Sequence, residues 1–199
     1  RETLVITRKT SQRLFDFSFR LAQRRRAQGR RGLLTCVDKA NVFKAFAFFR
    51  GIFDATAAHY PDVETARTYV DACSAQLVRR PWDFDVMVTE NMFGDTLSDL
   101  TAGLVGGLGM APSADIGDRH AVFQPCHGTA PDIAGQGKAN PTAMILSAAM
   151  MLDWLADKHD VPEAASAAQR IERAVDKAYA CGLRSMEFGG ADGTANIAR

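Results

Sequence analysis

The chain has 199 residues, 47% of them hydrophobic and 24% charged, a balance that can bury a substantial core and disfavours disorder. Its net charge of +1 provides no global field to gather nucleic acid. The longest apolar stretch, residues 143–152, is interrupted by Ser147 and falls well short of the roughly 20 residues needed to span a bilayer, so it reads as a buried helix and no membrane partner is expected.

Residues 10–28 carry Leu14, Phe17, Leu21 and Ala22 at helical spacing with polar residues opposite, which predicts an amphipathic helix. Arg24-Arg25-Arg26 and Arg30-Arg31 form a basic cluster without interleaved aromatics. It reads as a solvated helix end that complements the dipole, and no nucleic-acid partner is expected. Leu33-Leu34-Thr35-Cys36-Val37 is a short apolar run of the kind buried in parallel sheets, and it delivers Asp38-Lys39-Ala40-Asn41 at its carboxyl end. Phe46, Phe49 and Phe53 recur within residues 43–59 and predict a second helix, stopped by Pro61. Thr68-Tyr69-Val70 leading to Asp71, and residues 84–88 leading to Thr89-Glu90-Asn91, predict two more strands opening into helices. Strands alternating with helices place the chain in the α/β class.

Residues 103–112 are glycine-rich, read as a flexible hinge or domain crossing, and lack the spacing and preceding strand of a dinucleotide fingerprint. Two long helices are expected over residues 141–158 and 162–180, with a third beginning near residue 195. Cys36, Cys73, Cys126 and Cys181 are widely spaced without a CxxC pair, which suits reduced thiols in a cytoplasm better than zinc or a disulfide framework.

Two segments carry the chemistry. In Asn91-Met92-Phe93-Gly94-Asp95-Thr96-Leu97-Ser98-Asp99, the two aspartates stand one helical turn apart and leave the same face. They either complement a helix dipole as solvated charges or hold one hard cation. Asp71, at another strand-to-helix junction, would add a third carboxylate to an oxygen-rich site for Mg²⁺ or Mn²⁺. Lys39 lies at a third junction, as a surface lysine or as a proton shuttle beside a metal and a carbonyl. The second segment runs from Cys126-His127-Gly128-Thr129-Ala130-Pro131-Asp132-Ile133 to Lys138-Ala139-Asn140-Pro141. Its glycines can bring backbone N–H groups near a cofactor, and Asn140-Pro141 is a good helix start. His127 is either a turn histidine or part of a loop that meets a flat ring or phosphate.

Val37-Asp38-Lys39-Ala40-Asn41-Val42, Tyr69-Val70-Asp71-Ala72, residues 91–100 and residues 127–141 resemble, in order, the successive motifs of the isocitrate/isopropylmalate dehydrogenase family of metal-dependent β-decarboxylating dehydrogenases. The resemblance runs from about residue 7 to residue 197 and implies an α/β fold of two domains, with residues 1–106 part of the substrate and dimer domain and 107–199 the returning half of the nucleotide domain. It implies that Asp95 and Asp99 ligate the metal, that Asp71 ligates it and Lys39 catalyses from across a homodimer, and that Asn41 contacts substrate or nicotinamide. His127, Gly128, Thr129, Ala130, Asp132, Ile133 and Asn140 resemble the adenosine-binding loop. NADP-using members tend to carry Lys-Tyr where this chain has Asp132-Ile133, and a carboxylate there accepts ribose hydroxyls but repels a 2′-phosphate, so NAD is the expected cofactor. The implied substrate is a malate-type 2-hydroxy acid, 3-isopropylmalate first and isocitrate, homoisocitrate, tartrate or D-malate next. The rival is a catalytically silent subunit of a hetero-oligomer, whose mark would be lost ligands. Gln124 stands where the family usually has Glu, and the family's amino-terminal half, with its substrate arginines and catalytic tyrosine, has no counterpart in this sequence.

Overall fold

The computed structural model describes residues 3–199. The chain forms two compact units, Arg1–Thr101 and Ala102–Arg199.

In the first unit, helix α1 (Arg8–Ala27) precedes strand β1 (Leu34–Asp38), α2 (Lys44–Ala57), β2 (Thr65–Tyr69), α3 (Val70–Arg79), β3 (Val86–Val88) and α4 (Asn91–Leu104), whose last turn belongs to the second unit. The three strands make a parallel sheet in the order β2-β1-β3, with Leu34 beside both Thr65 and Val86. Every residue of β1 is buried, as befits a central strand covered on both faces. Its alternation divides the core: Leu34 and Cys36 join α1 and α2, whereas Val37 joins Cys73 and Leu77 of α3 and Leu97 of α4. The larger cluster is aromatic. Phe15 meets Phe49 at 4.6 Å between ring centroids, and Phe19 stacks on Phe53 at 5.4 Å and on Tyr60 at 4.7 Å.

These contacts correct the expected face of α1. Its buried stripe is Ser11, Phe15, Ser18, Phe19 and Ala22, while Leu14 and Phe17 point to solvent at 37% and 38% exposure. The helix carries apolar residues on more than one side, and the waiting aromatics of α2 select which side turns inward. The basic end of α1 is likewise more than a solvated terminus. Arg25 pairs with Asp85 at 2.6 Å, Arg26 donates to the Asp62 carbonyl, and Arg31 pairs with Glu64 at 3.0 Å, so the cluster ties the helix end to the segments entering β2 and β3.

In the second unit, an antiparallel hairpin of β4 (Pro112–Ile116) and β5 (Ala121–Pro125) precedes α5 (Thr142–His159), α6 (Pro162–Ala180) and the short α7 (Thr194–Ile197). Sequence patterning does not announce the hairpin, because its strands are short and only half-buried. α5 and α6 form a helical hairpin: Asp160 turns the chain at φ 54°, and Thr142 at one end of α5 meets Tyr179 at the far end of α6 at 2.9 Å. The stretch expected to be a buried helix is α5, but it buries only small residues, Thr142, Ala143, Ser147 and Ala149, and exposes Met144 and Met151. Among the described residues no helix is long and apolar enough to cross a membrane.

Candidate active site

Because the strands are parallel, their carboxyl ends share one edge of the sheet, the edge where α/β proteins place ligands. The last residue of β1, Asp38, is fully buried. Its carboxylate accepts two hydrogen bonds from Arg50 of α2, both at 2.7 Å, and a third from the Ala40 N–H at 2.7 Å. A buried charge needs this much compensation, and the bidentate guanidinium supplies most of it. The Ala40 bond also folds the chain into the tight turn that presents Lys39 and exposes Asn41. Arg50 in turn lies 5.0 Å from the centroid of the Tyr69 ring, and the Lys39 ammonium lies 5.9 Å from the same ring. Tyr69 ends β2 and leads directly into the first turn of α3, where Asp71 stands.

The outcome is a Lys39–Asp71 ion pair, Nζ to Oδ1 at 2.5 Å. The Lys39 hydrogen bond, followed by backbone N–H groups at the start of α3, holds the Asp71 carboxyl below the ordinary carboxylate range. The Asp38 hydrogen bonds raise Arg50 above its already high value. Beneath them, burial and the neighbouring Asp38 charge push the Cys36 thiol far up, so it carries no nucleophilic role.

Asp95 and Asp99 both face solvent on α4, whose opposite side seats Leu97 in the core. The helix is fixed at its start by Glu90, whose carboxylate accepts the Phe93 N–H at 3.0 Å, and by Phe93 stacking on Phe46 at 4.8 Å. The hard oxygen pair suits a divalent cation. However, among the described residues no three acidic, histidine or cysteine groups converge to hold one. Within the single chain Asp71 is engaged by Lys39 and does not converge with Asp95 and Asp99.

In the second unit, the loop between β5 and α5 holds the remaining candidates. His127, Gly128, Thr129, Ala130 and Asp132 are exposed and Ile133 is half-buried. His127 Nδ1 lies 2.9 Å from the Gly128 carbonyl, Ala130 takes a left-handed φ of 40°, and Gln136 reaches back to the Asp132 carbonyl at 2.7 Å. The loop's open backbone and the unburied Asp132 fit a ribose-bearing ligand. Asn140 is different, being engaged internally: Oδ1 accepts from Thr142 N and Oγ1 at 3.1 and 2.7 Å, and Nδ2 donates to Glu187 at 3.1 Å. Thr194 pins the same end, donating to the carbonyls of Gly137 and Ala139 at 2.8 and 2.5 Å. Gln124 donates to Asp115 across the hairpin at 3.2 Å, where a glutamate would face a second carboxylate. A cavity of about 390 Å³ bordered by Arg31, Leu33, Thr35 and Arg80 contains none of the candidate residues.

Asp38, Arg50 and Glu187 are the residues that sequence reasoning did not single out. The first two leave a signal, a carboxylate closing an apolar strand and an arginine twelve residues on. Glu187 leaves none, since its partner Gly109 is 78 residues away.

A profile described as isocitrate/isopropylmalate dehydrogenase matches residues 1–198. The chain is 47% identical over 189 residues to a 3-isopropylmalate/3-methylmalate dehydrogenase of Methanocaldococcus jannaschii, covering 94% of this chain and 55% of that protein. It is 49% identical over 187 residues to an isocitrate/homoisocitrate dehydrogenase of Thermus thermophilus, covering 94% of this chain and 53% of the relative. The crystal structure of isocitrate dehydrogenase from Methylococcus capsulatus superposes with a TM-score of 0.87 at 44% identity, over all of this chain and 56% of that one. The chain thus spans about half the length of the curated relatives it matches.

Proposed function

Because the chain belongs to the isocitrate/isopropylmalate dehydrogenase family, we propose that the intact protein catalyses NAD-dependent, Mg²⁺- or Mn²⁺-dependent oxidative decarboxylation of a malate-type 2-hydroxy acid, with 3-isopropylmalate the first choice and isocitrate or homoisocitrate next. The observation that carries this reading is the Lys39–Asp71 pair set at the carboxyl edge of the parallel sheet. In this proposal Asp95 and Asp99 hold the cation from one protomer, and Asp71 and Lys39 serve the site of its homodimeric partner, a reading compatible with the lack of a three-ligand group among the described residues of one chain. When bound, the cation supplies Lewis-acid polarisation of the reacting oxygen. Lys39 Nζ, after passing a proton to the paired Asp71 carboxylate, would take the proton of the substrate hydroxyl, and the nicotinamide, when bound, would supply the hydride acceptor for the oxidation that precedes loss of the β-carboxylate as CO₂. Asn41 lies in the Lys39 turn and contacts substrate or nicotinamide. The loop bearing His127, Gly128, Thr129, Ala130, Asp132, Ile133 and Asn140 receives the adenosine half, and Asp132 selects against a 2′-phosphate.

The proposal assigns residues 1–106 to substrate and dimer contacts and residues 107–199 to the nucleotide. A catalytically silent subunit is disfavoured because Lys39, Asp71, Asp95 and Asp99 are all present. The test is an assay of the full-length protein with Mg²⁺, NAD or NADP, and a panel of malate-type acids. Turnover with NAD is expected, together with a shift of kcat/KM toward NADP in Asp132→Lys/Ile133→Tyr. Absence of turnover with every acid and both cofactors would favour the silent reading.

A further inference from the structure

The glycine-rich segment after α4 seats side chains that arrive from far along the chain. A Cβ on Gly107 would collide with Glu187 Oε1, one on Gly109 with Glu187 Oε2, and one on Gly106 would press on the Phe188 ring at 2.8 Å. The carboxylate so admitted works at both ends. Oε1 accepts the Gly109 N–H at 3.2 Å, and Oε2 accepts from Asn140 Nδ2 at 3.1 Å. Asn140 carries the link into the start of α5 through Thr142, whose hydroxyl also meets Tyr179. Thus one surface side chain ties residue 109, before the hairpin, to residue 140, at the foot of the loop.

We infer that Glu187 is the positioning residue of the 126–140 loop, fixing its closed end in the shape that binds the dinucleotide. The inference rests on the reading of that loop as the adenosine site. Most of the loop is exposed irregular backbone with few buried side chains; its start is tied by Cys126 to the Ala111 and Leu108 carbonyls and its middle by Gln136 to the Asp132 carbonyl, while its closed end is held by this clamp and Thr194. A loop ordered in advance spares a ligand the entropy of ordering it. Glu187 touches no reacting atom, so its loss raises the requirement for cofactor and leaves the chemical step alone. Only a carboxylate accepts at both ends: a glutamine must turn its NH₂ toward either the Gly109 N–H or the Asn140 amide, and satisfies one partner.

The test uses the full-length protein and Glu187→Ala, Glu187→Gln and Gly109→Ala variants. Without cofactor, hydrogen exchange over residues 126–140 should quicken most in Glu187→Ala and less in Glu187→Gln. NADH titrated by its fluorescence should bind about tenfold more weakly to Glu187→Ala, the loss expected of a charge-assisted hydrogen bond, with kcat at saturating NAD within about twofold. Gly109→Ala should weaken NADH in the parent by displacing the carboxylate, and clearly less in the Glu187→Ala background, where only the 3.0 Å approach of the new Cβ to Asn140 Cβ remains. Unchanged loop exchange in Glu187→Ala, or full additivity with Gly109→Ala, would overturn the clamp. Faster exchange with unaltered NADH affinity would leave the clamp standing and overturn the reading of this loop as the nucleotide site.

Discussion

The two units hold their candidate residues in place by different means. The first packs five phenylalanines, Ile52, Leu34, Val37 and Leu77 to essentially no exposure, and the strand edge bearing Lys39 and Asp71 is the rim of that core. The second buries alanines, Thr142, Ser147 and Ser185, and no large apolar side chain appears among its fully buried residues. Its loop is shaped by polar pins instead: Asn140 and Glu187, Thr194 on two carbonyls, and Ser147 on the Gln124 carbonyl at 2.9 Å. A side-chain pair at the rim of a dense core inherits its rigidity, whereas a loop held by pins can be loosened one bond at a time.

Four substitutions would break or sharpen this contrast. The largest effect belongs to the aromatic core. Phe53→Ala should cost about 3–5 kcal/mol in urea unfolding, because it removes a ring stacked on Phe19 and leaves a cavity, while Met144→Ala on α5 should stay within about 0.5 kcal/mol. Similar losses for both would show that the second unit has a core of equal quality. Next comes the rim itself. Asp38→Ala strands Arg50 and frees the Lys39 turn, so it should lower stability by about 3 kcal/mol and reduce kcat with little change in the KM for NAD. An altered NAD requirement with normal kcat would place Asp38 in the wrong role.

The smallest effect is alkaline. Burial pushes the Cys73 thiol up to about 11 from an ordinary 9.0, so above pH 9 the unfolded chain loses a proton that the folded chain keeps. Stability is complete below the unfolded value and falls as pH rises through the folded one, with a slope of at most about 1.4 kcal/mol per pH unit for one thiol. Cys73→Ala should make that decline shallower in chemical denaturation between pH 9 and 11, leaving the share contributed by the buried Cys36 thiol, and an unchanged decline would assign it to other groups.

Much of the first unit is written in local pattern. The all-apolar β1, the phenylalanine spacing of α2 and the charged residues at three strand ends suffice to place Lys39 and Asp71 at one edge. The inward face of α1 is not legible, because Leu14 and Phe17 satisfy helical periodicity as well as Phe15 and Phe19, and only the tertiary stack with Phe49, Phe53 and Tyr60 decides between them. Likewise, the glycines of residues 106–109 read locally as freedom, and their role becomes visible only when Glu187 arrives from far along the chain. Motif order exposes the loop residues, but it cannot show that Asn140 spends its amide internally.

The strand order has a kinetic corollary. β1 receives β2 on one side after a local crossover through α2, but its other side stays open until the chain has travelled past β2 and through α3 to residue 86. Contacts of long sequence separation close late, since the intervening chain must first give up its freedom. The helical hairpin of α5 and α6, by contrast, needs only a two-residue reversal. On this topology the Lys39–Asp71 edge can be assembled from β1 and β2 before β3 docks, while α4, with Asp95 and Asp99, follows all three strands in the chain.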